Sequence, residues 1–344
     1  MLEIQQFSVR LDSPLETARG TIDARDGFLV RIETDGLNGL GEATPLVGWT
    51  ESYEECRDGL ARARRVADEL DWGIALGKLE APAARHSLSL ALAEGRAKIQ
   101  DQPLYRSLGK SADRTVESVP VNATLGADEP TALANRARAA VDDGYPAVKI
   151  KVGTNGIEDD IERIRAVRNA VGDDVELRVD ANGAWTFDQA SEAIEALAAL
   201  GVAYVEQPLP TAELSSHASL RGSGVDIALD ESLATHSVSD IISANAADVI
   251  VLKPMVLGGP DRAVEAARDC READIDPIIS TTIDAVVARA GAVHVAASIP
   301  DVRACGLATG ERLATDLARD PAPVRNGRIT VPQEPGLGIE NPPI

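Results

Sequence analysis

Three carboxylates and three lysines in the middle of this chain stand where they could do acid–base chemistry around a metal ion. Asp180, Glu206 and Asp230 close the apolar, β-branched runs VELRVD, VAYVEQP and VDIALDE. Lys149 and Lys151 lie in AVKIKV, and Lys253 ends DVIVLKP. Charges so placed are costly to bury unless they have partners. Three carboxylates brought to one point repel and raise one another's pKa. A hard divalent cation relieves that repulsion. An all-oxygen donor set suits Mg2+, with Mn2+ as the alternative, and leaves positions open for substrate oxygens. A single aspartate after a strand can equally cap the following helix. Three acids in register on successive strands, flanked by lysines, favour the metal.

Lys149 and Lys151 are two apart on one strand and therefore share a face. Near a cation and near each other, both are expected to hold a proton weakly, and a lysine depressed toward neutrality can take a proton near pH 7. Lys253 has three predicted strands between itself and that pair, so it should face a substrate from the opposite side. Metal plus base is what abstraction of a proton α to a carboxylate requires, because the enediolate that forms needs a counter-charge.

Stepping these residues around one point is a task for regular elements. From Val116, strand-like runs alternate with helical ones, which predicts βαβ units and a parallel sheet. The strands are VPVNATL, AVKIKV, VELRVD, VAYVEQP, VDIALDE, DVIVLKP, DPIISTT and a short ACGLATG. Helices are expected over about 130–142, 157–171, 187–200, near 214, 238–244, 261–273 and 284–298. Eight strands and about seven helices give an α/β fold of the (β/α)8-barrel type, slightly modified, with reactive groups at the C-terminal strand ends. A doubly wound sheet would need an early glycine-rich phosphate turn, and LGGP at 257–260 is late and lacks that pattern. Residues 1–115 read as an α+β capping domain: strands in IQQFSVRL, GFLVRIET and GLGEATPL, then amphipathic helices in YEECRDGLARARRVADEL and RHSLSLALAEGRAKIQ. Pro103 and Gly109 mark DQPLYRSLG as loop. The barrel domain spans 116–318, and the tail 319–344 is expected to return to the cap. Loops at Pro14–Gly20 and Pro45–Ser52 are placed to close the barrel mouth and exclude water. Trp49 there packs on the substrate or anchors the lobe.

Composition narrows the class. The 344 residues, 44% of them hydrophobic, suffice for a large core, and no apolar run reaches the roughly 18 residues of a membrane helix. The N-terminus lacks the basic start and apolar stretch of a signal peptide, so a soluble, cytoplasmic protein is expected. Cys56, Cys270 and Cys305 are scattered and read as reduced core residues, and the four histidines show no zinc-ligand spacing. A net charge of −21 argues against nucleic acid and anionic membranes as partners, leaving a small-molecule carboxylate as the expected one. Oligomerisation is open. Lysine occurs only at 78, 98, 110, 149, 151 and 253, and such scarcity beside abundant acids suggests a salt-adapted cytoplasm, an acidic mesophile being the alternative. Half of these lysines fall at the two predicted strand ends.

The order K-x-K, D-x-N, E-Q-P, D-E-S and K-P resembles the enolase superfamily, in its muconate-lactonizing-enzyme-like subgroup, over nearly the whole chain. That superfamily uses a Lys or His base with magnesium. Within it, GLGEATPLVGWTES (39–52), GYPAVKIKVG (144–153), VLKPMVLGG (251–259) and GLATGERLATDLA (306–318) are most similar to the o-succinylbenzoate synthases of menaquinone biosynthesis. The resemblance implies that Lys151 is the acid/base of a syn-dehydration of 2-succinyl-6-hydroxy-2,4-cyclohexadiene-1-carboxylate. It implies Asp180, Glu206 and Asp230 as metal ligands, Asn182 and Glu231 supporting them from behind, and Lys149 keeping the pKa of Lys151 low. Lys253 would lie over the forming ring as a cation–π partner. Thr281, Thr282, Gly306 and Trp49 fall where substrate contacts are implied, although the threonines also suit a strand on β-branching alone. N-acylamino acid racemases and dipeptide epimerases share the same metal and lysines. Dipeptide epimerases generally place Asp-x-Asp after the last strand, where this chain has the neutral Leu307-Ala308-Thr309-Gly310. A non-catalytic metal-binding barrel is the remaining alternative.

Overall fold

The computed structural model describes residues 1–17, 20–34, 36–109, 114–341 and 344. The first lobe opens with an antiparallel sheet of β1 (Leu2–Thr17), β2 (Gly20–Thr34) and β3 (Leu37–Ala43). The segment expected as a loop at Pro14–Gly20 is therefore largely strand: β1 and β2 pair on from Leu15↔Ile22 after a register shift. Residues 18 and 19 lie outside the described residues. Helix α1 (Tyr53–Glu69) starts at a capping box in which Ser52 and Glu55 satisfy each other's backbone N–H. A short α2 (Trp72–Gly77) is capped by Asp71. Helix α3 (Pro82–Ile99) lies across β3, and glycine makes that approach possible: a Cβ at Gly39 or Gly41 would stand 1.8 or 1.9 Å from the carbonyl oxygens of Ala91 and Ser87. The expected loop over DQPLYRSLG is corrected to a helix, α4 (Leu104–Gly109). Pro103 precedes its first turn, where no N–H is needed, and burial of Leu104 and Tyr105 holds it.

Next, β4 (Ser118–Pro120) and β5 (Asn122–Leu125) divide the expected first strand. The chain then runs through α5 (Pro130–Asp142), β6 (Ala147–Lys151), α6 (Ile157–Val171), β7 (Glu176–Asp180), α7 (Phe187–Ala199), β8 (Val202–Glu206), α8 (Leu214–Leu220), β9 (Asp226–Leu229), α9 (Val238–Ser243), β10 (Val249–Leu252), α10 (Pro254–Leu257), α11 (Pro260–Glu272), β11 (Asp276–Ile279) and α12 (Val286–Ser298). Strands β5 to β11 form one parallel sheet in sequence order. The expected eighth strand shrinks to two residues that link the sheet's edges. Cys305 exchanges hydrogen bonds with Pro120 and Asn122 (2.8 and 3.0 Å), and the Gly306 N–H donates to Ile279 O at 2.9 Å. The curled α/β sheet with its antiparallel cap agrees with the expected barrel type. In the tail, β12 (Val324–Arg325) pairs with β13 (Arg328–Thr330), β13 pairs in turn with β4, and Leu337 packs with Leu29, Leu40, Leu90 and Leu104.

The cap docks through apolar contacts. Met255 and Ala288 join the core of Phe28, Leu60 and Leu88, while Val286, Val287 and Ala290 join Leu29, Leu40 and Leu90. Helix α12 is consequently buried from Val286 to Ala297. Among the described residues no helix is long and apolar enough to cross a membrane.

His294 of α12 is fully buried and stacked 6.1 Å from Tyr105, and burial pushes its imidazole down to about 4. The unfolded chain, with histidine near 6.5, binds the extra proton between those values, so stability falls as pH drops from about 6.5 to 4, by about 3 kcal/mol from this group. We expect His294→Leu to show a shallower loss of unfolding free energy than wild type across that window in urea titrations. Equal slopes would refute the assignment.

Candidate active site at the barrel mouth

The register of the sheet places the expected residues in two inward layers. Lys151 pairs with Asp180 and Asp180 with Glu206 across β6, β7 and β8, while Lys149, Arg178 and Tyr204 are matched one layer below. Residues paired across neighbouring strands of a pleated sheet share a face. Lower down, Arg178 is wholly buried, bonded to Glu176 (2.7 Å) and Ala304 O (2.6 Å), with its guanidinium 5.0 Å from the Tyr204 ring. This forms a charged floor under the site.

Each lysine holds a carboxylate, Lys149 by reaching up from the lower layer. Lys149 Nζ donates to Glu206 Oε1 (2.7 Å) and lies 3.1 Å from Asp180 Oδ2. Lys151 Nζ donates to Asp180 Oδ2 and Asn182 Oδ1, both at 2.7 Å. Lys253 Nζ donates to Asp230 Oδ2 at 2.7 Å, and its other side faces Trp49, 3.5 Å from the ring centroid. Asn182, in the left-handed region at φ +45°, donates from Nδ2 to Glu231 Oε1 at 2.7 Å and so joins Lys151 to Glu231.

Four carboxylates here face three ammonium groups, an excess of one negative charge when all seven are ionised. The pKa directions follow from that imbalance. Burial alone would raise Asp180, but Lys149 and Lys151 hold it well below the usual range. Burial and the neighbouring Asp180 push Glu206 up to about 8 despite Lys149. Glu231 is raised by burial, then by Asp230 and Asp180. For Lys149, burial pulls downward but Glu206 and Asp180 outweigh it, so its pKa stands well above that of an ordinary lysine. Beside two carboxylates Lys149 thus holds its proton firmly, the opposite of the effect expected from Lys151 alone.

The expected ligands Asp180, Glu206 and Asp230 stand at or just beyond the C-terminal ends of β7, β8 and β9, near enough for Asp180 and Asp230 to raise Glu206. Among the described residues, no three His, Cys, Asp or Glu side chains form a ready-made metal cluster, and the ammonium groups pair with Glu206, Asp180 and Asp230. The fit to a cation is read from the oxygens left over. Glu206 Oε2, Asp230 Oδ1 and Glu231 Oε2 are buried without a hydrogen-bond partner. Orphaned buried carboxylate oxygens are costly, and a hard cation is what such a set accepts. A divalent ion would also turn the excess negative charge into an excess positive one, suited to an anionic ligand.

The remaining expected residues lie on the neighbouring strand end. Ser280 N donates to Leu252 O at 3.0 Å, which sets Thr281 and Thr282 beside the strand carrying Lys253. Their hydroxyls are engaged elsewhere: Thr281 with Thr309 at 3.0 Å, Thr282 with Asp284. Gly306 is taken up in joining the sheet edges, and a Cβ there would stand 2.7 Å from Ser280 Oγ.

Several supporting residues were not singled out from the sequence. Gln207, fully buried at φ +41°, accepts from Asp230 N (3.2 Å) and Ser232 N (3.0 Å), tying the loop after β8 to the loop after β9. Asp160 accepts from Gly153 N (2.7 Å) and pairs with Arg163, which donates to Lys151 O at 3.3 Å. Arg25 donates to Thr44 O (3.0 Å) and Ile283 O (3.3 Å). Glu42 accepts from the N–H groups of Ala285 and Ala288 at 2.8 and 2.9 Å, capping α12 from the other lobe. The E-Q-P motif was the one available sequence signal for Gln207.

Comparison with known proteins agrees with this architecture. Residues 132–342 match the family model described as enolase C-terminal domain-like. The chain is 30% identical to the hydrophobic dipeptide epimerase of Enterococcus faecalis, with 99% of each covered. It is 37% identical to the o-succinylbenzoate synthase of Thermobifida fusca, covering 90% of this chain and 82% of that one. The crystal structure of the dipeptide epimerase from Enterococcus faecalis V583, complexed with Mg and the dipeptide L-Leu-L-Tyr, superposes with a TM-score of 0.86 at 29% identity and 99% coverage of both chains. With its parallel sheet, its lysine and carboxylate layer and a family match across more than half its length, this chain belongs to the enolase superfamily.

Proposed function

We propose that this protein is a Mg2+-dependent o-succinylbenzoate synthase acting in menaquinone biosynthesis. The observation that carries the reading is the interleaved layer of three ammonium and four carboxylate groups, with three buried oxygens left unpaired. Glu206, Asp230 and Glu231 offer those free oxygens, and Asp180 would join them once its lysine partners shift. A bound Mg2+ would draw charge from the substrate carboxylate and so acidify the adjacent C–H.

Lys151, in its amine form, takes the α-proton of the cyclohexadiene carboxylate. It then returns that proton to the ring hydroxyl on the same face; the C–O bond breaks, water leaves and the ring becomes aromatic. Lys149, fixed between Asp180 and Glu206, puts its charge beside the same Asp180 oxygen that Lys151 holds. Lys151 is the lysine best placed to reach a ligand, with its side chain 36% exposed against 15% for Lys149 and 10% for Lys253. Lys253 stabilises the ring from the far side. The neutral Leu307–Gly310 segment, tied to the site by the Thr281–Thr309 contact, and the 37% identity to a synthase support this substrate over a cationic dipeptide.

A second reading, racemisation of N-acylamino acids or epimerisation of dipeptides, is favoured by one feature: Lys253 stands across the sheet from Lys151, as two-base chemistry requires. The likeness to an epimerase agrees with it.

Purified protein with Mg2+ and the cyclohexadiene substrate should lose the diene absorbance and gain that of the aromatic product. Lys151→Ala should lower kcat by about 10²- to 10⁴-fold. Intact, Mg2+-binding protein without turnover would reject the synthase and send the enzyme to N-acylamino acids and dipeptides. Asn182→Ala, by cutting the link from Lys151 to Glu231, should weaken Mg2+ binding or activity roughly 10- to 100-fold in calorimetric and kinetic titrations. Unchanged values would remove Asn182 from the site. The charge of −21 fits a salt-rich cytoplasm, so the melting temperature should climb between 0.1 and 2 M KCl as self-repulsion is screened. A flat response would argue for the mesophile alternative.

A further inference from the structure

The turn at Leu46–Thr50 is built as a bracket. Trp49 N and Thr50 N both donate to Leu46 O (2.9 and 2.8 Å), and Leu46 N donates to Thr50 Oγ1 at 2.8 Å. The next residue, Glu51, fixes the turn to the start of α3 by accepting from Ala83 N (3.0 Å) and Ala84 N (2.9 Å). Two apolar side chains project from this bracket: Val47, 56% exposed, and Trp49, whose ring meets the Lys253 ammonium. Lys253 is therefore held at two points, by Asp230 from its own barrel and by an aromatic face from the other lobe. A lysine stem has four rotatable bonds, and one ion pair leaves its ammonium free to swing about the carboxylate. The second contact, through the ring quadrupole, removes that freedom.

We propose that Trp49 is a positioning residue for Lys253, fixing where its ammonium meets the substrate; this rests on the reading above that Lys253 faces the reacting ring. The cap then takes part in the chemistry's geometry as well as covering the mouth. If Trp49 only anchored the lobe, its loss would cost stability and leave turnover by the folded enzyme unchanged.

Two experiments on the full-length, Mg2+-loaded enzyme separate these cases. Trp49→Phe keeps a ring face and should retain kcat within about 3-fold. Trp49→Leu should lower kcat by about 10-fold, with Mg2+ affinity unchanged, at a temperature where both variants are folded. Equal losses in the two variants, following their melting temperatures, would overturn the proposal. The second readout needs no substrate. The difference in tryptophan emission between wild type and Trp49→Phe isolates Trp49, and the same difference taken in a Lys253→Met background should shift. Identical difference spectra would overturn the contact. A shifted spectrum with no turnover of any carboxylic acid would reject the functional reading while supporting the Trp49–Lys253 contact. Turnover with identical spectra would do the reverse.

Discussion

The charge imbalance at the barrel mouth is the constraint on which the rest of the molecule depends. Four carboxylates and three ammonium groups share one buried layer, and three of the carboxylate oxygens are left there without a protein partner. Glu206 responds by retaining a proton to about pH 8, and Asp180 by surrendering its own to Lys149 and Lys151. Such a set is poor for stability, since buried ion pairs seldom repay their desolvation. It is well matched to a doubly charged cation and an anionic ligand. The same arithmetic explains why the lysines sit among the oxygens: each neutralises an acid.

Holding this layer takes backbone devices as much as side chains. The parallel register puts Lys151, Asp180 and Glu206 level, and below them Arg178 and Tyr204 fill the barrel, so the charged layer rests on a packed floor. Gln207 locks the two loops that carry Glu206 and Asp230, at the cost of a left-handed backbone. Asp160 and Arg163 do the equivalent for the loop after Lys151.

The first lobe is joined to the site by more than apolar packing. Arg25 and Glu42, both buried, grip the turn 281–285 between β11 and α12. Within it Ile283 adopts φ +60°, an unfavourable value for a β-branched residue, and this grip is what sustains it. Burial and Asp284 push Glu42 up to about 7 although its hydrogen bonds from Thr44 and Ala288 favour the charged form. Trp49 adds a third link, to Lys253 itself.

Much of this was legible in the sequence for a simple reason. A barrel strand is an apolar run, so a charged residue at its end stands out, and the βα spacing fixes which end faces the site. Lys149, Lys151, Asp180, Glu206, Asp230 and Lys253 could be picked out in that way, as could the helices between them. The residues that were missed carry no such contrast. Arg25 and Asp160 look like ordinary surface residues until the fold buries them. The helix at Leu104–Gly109 is hidden by its flanking proline and glycine, and the eighth strand is too short for any period to register. Tertiary structure alone decided which lysine holds which carboxylate, and hence that Lys149 gains proton affinity where proximity to Lys151 suggested loss. A sequence records which charges are near in the chain. A pKa depends on which are near in space.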